Sequence, residues 1–393
     1  MLIEQLTLTN ILSFGPEPET VTFGPLTVLI GANGSGKSNV LAAIDLLRNA
    51  PDEVFKPVRQ GGGVTDWLWK GGLTNPVAKI DAVLTNPDFT TNFRYVLSFT
   101  ESAQRPVLIE ERLENENASL GESEPYFYYK YKNNHPVLNV RSVTESGLVK
   151  RSLRRETIDA DLSIFTQRRD PEHYPEITSL VPRFGKIRLY REWSFGRYTP
   201  PRLSQRADMP NDWLEPDASN LGLIMNRLRR TPAAKARFLE ALRELYDGIE
   251  DFDVQIEGGS VQAFLHEGQV AIPATRLSDG TLRYLCLLAI LCHPNPPPLV
   301  CIEEPELGLH PDIIRTVAKL LKEASERCQL IVTTHSDILV DAMTDTPEAI
   351  VVCEKQNGAT KLHRLTAEEM APWLEKYRLG ELWTSGQIGG NRW

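Results

Sequence analysis

Residues 31–38 read Gly-Ala-Asn-Gly-Ser-Gly-Lys-Ser, three glycines spaced ahead of a lysine and a hydroxyl. This spacing suits phosphate chemistry. The glycines let the backbone curl until its amides point at phosphate oxygens, and a helix starting at the lysine adds the positive end of its dipole. Lys37 would hold β- and γ-phosphates, and the Ser38 hydroxyl would bind Mg²⁺. The candidate nucleotide contacts are Gly31, Asn33, Gly34, Ser35, Gly36, Lys37, Ser38 and Asn39. A plain Gly-rich turn is the competing reading, and the flanking pattern weighs against it.

Two carboxylates, Glu303 and Glu304, end the apolar run Leu299-Val-Cys-Ile. Adjacent carboxylates repel, so the pair suggests a cation or a proton-transfer role. In phosphate-loop enzymes the first acid after such a strand orders Mg²⁺. In one branch a second acid takes the proton of the attacking water. A solvated turn is the bland alternative. His335 follows a second apolar run, Leu330-Ile-Val-Thr-Thr. A lone histidine is commonly structural, but this one falls where a parallel sheet presents its active edge.

The elements that must position these groups are legible around them. Leu26–Ile30 is a β-rich run, and Val40, Leu41, Ile44 and Leu47 share one helical face through Arg48. Strand, loop and helix therefore follow in order. Leu277-Ser-Asp-Gly-Thr281 leads into an apolar helix over 282–291, and a helix over 312–326 buries Ile313, Ile314, Val317, Leu320, Leu321 and Ala324.

Length and composition bound the class. At 393 residues, 41% hydrophobic and 24% charged, the chain reads as an ordinary globular protein of two or three domains rather than a disordered or fibrous one. A net charge of −9 excludes nucleic-acid binding by bulk charge. The longest apolar stretch, Tyr284–Cys292, is about half a membrane span, and the N-terminus does not read as a secretion signal, so a cytoplasmic protein without membrane contact is expected. Five cysteines without a Cys-x-x-Cys pair point to buried thiols.

The order of phosphate loop, Leu-Ser-Asp-Gly-Thr, strand with Glu-Glu, Glu306-Leu-Gly-Leu-His-Pro311, and strand with His335 resembles the ABC-type ATPase superfamily. The opening Leu6-Thr-Leu-Thr-Asn-Ile-Leu-Ser-Phe14 and the signature spelling are similar to its RecF/SMC-like branch, which handles DNA. The resemblance implies ATP and Mg²⁺ as cofactors and a head-to-tail homodimer that sandwiches two nucleotides. Ser278, Asp279 and Gly280 would form the signature acting in trans. Glu303 would serve Mg²⁺, Glu304 would be the general base, His335 would touch the γ-phosphate, and 306–311 would carry signals between sites. The family's glutamine loop is not obvious, and Gln167 is the candidate for that metal contact. The signature has Ser-Asp-Gly-Thr where transporters carry Ser-Gly-Gly-Gln. The ending Gly380-Glu-Leu-Trp to Gly-Gly-Asn-Arg-Trp393 resembles a group of bacterial ATPases of the AAA kind, with relatives in DNA-repair and phage-defence settings beside a separate effector.

Between loop and signature lie about 240 residues, more than a bare core needs. No apolar heptads run through them, so long coiled-coil arms are excluded. A β-rich piece over about 77–149, a loop-rich basic piece, two helices and a hairpin near 252–266 are expected. Residues 141–206 hold 14 Lys/Arg against 8 Asp/Glu. Within them Lys186, Arg188 and Arg191 alternate beside Trp193, Phe195 and Tyr198, a pattern suited to DNA contact or, equally, to a charged strand edge. Asp251-Phe-Asp253 fits a plain strand better than a nuclease centre.

The expected fold is α/β: an ABC-type P-loop core with a mixed sheet flanked by helices, plus an inserted α+β lobe. Its divisions are 1–76 and 251–393 for the core and 77–250 for the lobe. The leading function is an ATPase coupled to nucleic-acid handling or phage defence through an effector protein. A transporter's nucleotide-binding subunit and an ATP-gated scaffold with little turnover are the rivals.

Overall fold

The computed structural model of the chain describes residues 1–72, 74–132, 135–143, 149–155, 157–159 and 162–390. Asn391, Arg392 and Trp393, the end of the aromatic tail, lie outside the described residues.

Six strands form the sheet that carries the chemistry. In space they run Arg188–Tyr190, Leu299–Glu303, Gln329–Thr334, Leu26–Ile30, Ile350–Gln356 and Ala359–Arg364. The first five pair in parallel, and the last returns antiparallel as a hairpin. Alternation along these strands feeds two cores. Val28, Ile30, Val300, Ile302, Leu330 and Val332 face one, where they meet the helices Leu221–Arg229, Pro232–Leu245, Asp279–Leu291 and Pro311–Ser325. Leu29, Leu299, Cys301 and Ile331 face the other, against the helices Lys37–Asn49 and Pro175–Gly185. Burial on both faces is why these strands read as unbroken apolar runs.

The second core is closed by an eight-stranded antiparallel sheet, from Glu19–Thr22 through Ile3–Thr9 and Ala78–Leu84 to Val149–Arg154. Gln329 binds the two sheets together. Its buried side-chain carbonyl accepts from the amides of Leu2 (2.9 Å) and Ile3 (3.0 Å), and its amide donates to the Ile3 carbonyl at 2.6 Å.

The segment 77–250 is tied to the rest of the chain at several points. Its strand Ala78–Leu84 pairs directly with Ile3–Thr9, its strand Arg188–Tyr190 is the edge of the parallel sheet, and its helices enter both cores. Each of these elements buries its apolar face within the cores it shares with the rest of the chain. The expected hairpin is present as Asp251–Glu257 and Ser260–Glu267, joined by a turn with Gly258 and Gly259 at positive φ. All five cysteines are buried and free. No helix among the described residues is long and apolar enough to cross a membrane.

Candidate active site

The C-terminal ends of the parallel strands supply the site. Leu26–Ile30 delivers the loop 31–36, and the helix Lys37–Asn49 begins at once, with Gly36 as its N-cap at φ 107°. A side chain at Gly36 would meet Thr360 Oγ1 at 2.2 Å and Ser13 Oγ at 2.7 Å, and one at Gly31 would meet the Cys353 carbonyl at 2.2 Å. Glycine is required at both because the loop is pressed against its supports. Those supports are polar: Thr360 Oγ1 donates to the Ser35 carbonyl at 2.8 Å, and Asn39 Nδ2 donates to Ser13 Oγ at 2.7 Å. Lys37 Nζ folds back on the Gly31 and Ala32 carbonyls, at 2.8 and 3.1 Å, and burial lowers its pKa.

Across the cleft, Leu299–Glu303 ends in the two acids. Ser38 Oγ and Glu303 Oε1 are in direct hydrogen-bond contact. Arg191 Nε lies 3.1 Å from Glu303 Oε2, its Nη2 3.5 Å from the Ser38 carbonyl, and Trp193 Nε1 donates to the Glu303 carbonyl at 3.3 Å. Glu304 adopts a left-handed backbone, φ 46°, which is costly for a residue with a Cβ and is found at sites whose surroundings over-determine it. Its amide donates to the Thr333 carbonyl at 3.0 Å, and its carboxylate lies 3.5 Å from His335 Nε2. Glu306 holds the histidine's backbone in place: its Oε1 accepts from Thr334 Oγ1 at 2.7 Å and from the His335 amide at 2.8 Å. Burial raises the Glu306 pKa.

Ser278 caps the helix Asp279–Leu291 by accepting from the Thr281 amide at 3.1 Å. Gly280 is packed so closely on the Gly308 carbonyl that a side chain would sit 2.8 Å from it. Asp279 is paired with Arg202, which also contacts the Leu277 carbonyl and donates to Phe195 O at 3.2 Å. Arg283, only 6% exposed, lies over the rings of Trp193 and Phe195 at 5.3 and 5.9 Å and donates to the Glu304 carbonyl at 3.4 Å.

The structure thus gathers Lys37, Ser38, Glu303, Glu304 and His335 at one sheet edge. It does not bring Gln167 there. The Gln167 amide is spent on the Asp159 and Leu162 carbonyls, and neighbouring Thr166 bonds to Ala50 and Asp52, past the far end of the helix that starts at Lys37. That helix has 13 residues, so Gln167 stands about 20 Å from the phosphate loop. Arg191 is likewise moved: grouped with Lys186 and Arg188 as a nucleic-acid candidate, it faces Glu303 instead. Arg188 lies over Trp213 at 5.0 Å, and Lys186 is exposed at the end of the helix Pro175–Gly185. The three share no outward face, because Arg188 lies on the sheet's edge strand while Arg191 lies just past its end. Trp193, Arg202, Arg283, Ser13 and Thr360 were not legible as site residues. Only the position of Arg191 at a strand's C-terminal end was a usable signal.

The donor set fits Mg²⁺. A hydroxyl and a carboxylate in contact beside a phosphate cradle match a cation that takes one or two protein oxygens and leaves the rest to phosphate and water. Among the described residues no group of three or more His, Cys, Asp or Glu side chains could hold a metal by itself.

A parallel sheet with a phosphate loop, two strand-end acids and a strand-end histidine at one edge is the arrangement of a P-loop nucleotide-binding fold. Solved SMC heads share the fold at low identity. The Smc head domain from Pyrococcus furiosus, with an extended coiled coil and bound to the C-terminal domain of ScpA, is 16% identical, with TM-score 0.56 over 96% of this chain and 99% of that one. The SmcHead bound to the C-winged helix domain of ScpA gives 18%, TM-score 0.54, 93% and 99%. The head with a coiled coil and joint from Pyrococcus yayanosii gives 13%, 0.53, 96% and 99%. No curated protein matches the chain. Residues 26–341 match the family described as "AAA domain, putative AbiEii toxin, Type IV TA system", and the chain belongs to that family.

Proposed function

We propose that the protein is a Mg²⁺-dependent ATPase whose closed state is a dimer of two copies, each lending its signature to the other's nucleotide. The convergence of Lys37, Ser38, Glu303, Glu304 and His335 on one sheet edge carries this reading. The loop amides and Lys37 bind the phosphates, and Ser38 and Glu303 would hold the cation. When bound, Mg²⁺ neutralises charge on the β- and γ-phosphates. Glu304 takes the proton of the attacking water, and His335, beside it, steadies the γ-phosphate end. Ser278 and Gly280, at the exposed start of their helix, are available to a second copy. A separate partner protein carries the biological output. Two findings support that partner: the family's description names a toxin–antitoxin system, and the SMC heads of similar fold were solved with ScpA domains bound. A role in phage defence or DNA handling is the setting that fits.

Steady-state ATP hydrolysis with Mg²⁺, with and without duplex or single-stranded DNA, tests the proposal. Glu304→Gln should reduce turnover by about 10²–10⁴-fold while leaving nucleotide binding intact. The same variant should accumulate as an ATP-bound dimer in sedimentation. Wild-type turnover in Glu304→Gln would refute the general base, and a monomer at saturating ATP would refute the sandwich. Turnover that ignores DNA would direct attention to the protein partner.

A further inference from the structure

Arg191 stands where a cation is needed. The strand Arg188–Tyr190 pairs in parallel with Leu299–Glu303 so that Tyr190 sits opposite Ile302, which brings the next residue, Arg191, level with Glu303. The strand end is firmly set: Tyr190 is buried, its hydroxyl donates to the Leu214 carbonyl at 2.8 Å, and its ring stacks on Trp193 at 5.8 Å. Trp193 in turn donates to the Glu303 carbonyl. The guanidinium is thereby delivered to the group formed by Ser38 Oγ and both Glu303 oxygens, with Nε 3.1 Å from Oε2 and Nη2 3.5 Å from the Ser38 carbonyl. Glu303 is well screened, with a side chain 17% exposed against 32% for Arg191. An uncompensated carboxylate there would be costly and would also repel an incoming polyphosphate.

We propose that Arg191 is a positioning residue that acts as the resident counter-ion of the metal pair Ser38–Glu303: it holds Oε2, leaves Oε1 facing Ser38, and competes through its charge with the divalent cation that loads the site. The inference rests on the nucleotide-site reading above. Arg191 is on Oε2 and Ser38 on Oε1, so a cation between Ser38 and Oε1 need not expel the guanidinium, but two positive charges on one carboxylate repel and each weakens the other's hold. Arg191 therefore has two opposite effects. Without metal it keeps Glu303 neutralised and lets nucleotide enter. With metal it competes, which raises the concentration of divalent cation needed to close the site and confines loading to nucleotide that brings its own cation. No proton transfer or covalent step is involved.

The test is a Mg²⁺ titration of the binding of a fluorescent, non-hydrolysable ATP analogue to the full chain, read by anisotropy and with a parallel series in EDTA. In Arg191→Gln the half-saturating Mg²⁺ should fall by about threefold or more, and the affinity in EDTA should fall as well. Arg191→Lys, which keeps a charge on a shorter reach, should lie between Gln and wild type. In a Glu303→Gln background the Arg191→Gln change should no longer shift the Mg²⁺ midpoint, because the contact being removed is already gone. An unchanged or higher midpoint in Arg191→Gln overturns the proposal, as does a shift that persists without Glu303. Melting curves of each variant identify any that fail to fold, and Arg191→Lys then carries the test alone. If wild type binds no analogue, or binds it equally well after Lys37→Ala, the nucleotide-site reading fails instead.

Discussion

Across the cleft from one another, the loop 31–36 presents main-chain groups and the Glu303 edge presents side chains. The loop's glycines sit at φ values that other residues avoid, against Thr360, Ser13 and the Cys353 carbonyl, so its shape is settled before any phosphate arrives. On the opposite side, Glu303, Arg191, Trp193, Arg283 and Arg202 form a chain of charges and rings that reaches Ser38, and in it each group can be relieved by a new partner. A cradle of amides costs no reorganisation when charge enters it. A network of side chains can answer the entry of a cation by rearranging. On the proposed function the two sides divide the labour, one recognising phosphate and the other registering that the cation has come with it.

The division fails most visibly if the main-chain side is broken. Gly36→Ala places a Cβ against Thr360 Oγ1 and Ser13 Oγ at a positive φ, which adds about 1–3 kcal/mol of backbone strain before any clash is counted. Nucleotide affinity should fall by at least about tenfold, since every 1.4 kcal/mol is a factor of ten. Because Thr360 is itself a support, Thr360→Gly in the same chain should return part of the loss. Isothermal titration of the single and double variants checks this, and an unimpaired Gly36→Ala would mean that the cradle is not preformed.

The side-chain network should yield a smaller loss, expressed in turnover rather than binding. Arg202 joins the segment leading from Trp193 to the start of the signature helix through Phe195, Leu277 and Asp279. Asp279 is largely exposed, so the ion pair itself contributes little and the carbonyl contacts matter more. Arg202→Ala removes donors worth about 1.5–3 kcal/mol to local order. The expected outcome is a fall in the turnover number of about tenfold with nucleotide affinity nearly intact. If affinity falls in proportion, the network does not act separately from the cradle.

How much of this was readable beforehand follows the same line. The phosphate loop, the Glu303-Glu304 pair and His335 each sit inside a contiguous pattern of apolar strand followed by polar cap, and all meet at one edge. Arg191 and Glu303 are 112 residues apart in the chain, and their contact depends on a strand of three residues pairing in register. Nothing local encodes that pairing, so alternation with aromatics suggested nucleic acid instead. Gln167 has the residue type of the expected metal contact, but its amide closes a local turn by the Asp159 and Leu162 carbonyls. The helix Pro175–Gly185 was missed because Pro182 interrupts its pattern, although Ile177, Leu180 and Phe184 give it a buried face. The pairing of Ala78–Leu84 with Ile3–Thr9 is non-local in the same way: strand partners and packing faces, not composition, decide it.

The finest cut through the network is at Trp193. Its indole stacks between Tyr190 and Phe195, at 5.8 Å from each and with planes within 23°, and it gives one hydrogen bond to the Glu303 carbonyl. Trp193→Phe keeps an aromatic in the stack and removes only the donor, a change worth about 0.5–1.5 kcal/mol. Melting temperature should drop slightly, and the phosphate loop should be untouched, so metal-free nucleotide affinity should stay at the wild-type value. The Mg²⁺ midpoint should shift by a few-fold at most, because the strand end that presents both Glu303 and Arg191 has lost one tether. A larger shift than that of Arg191→Gln would show that the tryptophan, rather than the arginine, governs the carboxylate. A midpoint that does not move at all would show that backbone pairing alone fixes Glu303, and that the network begins at Arg191.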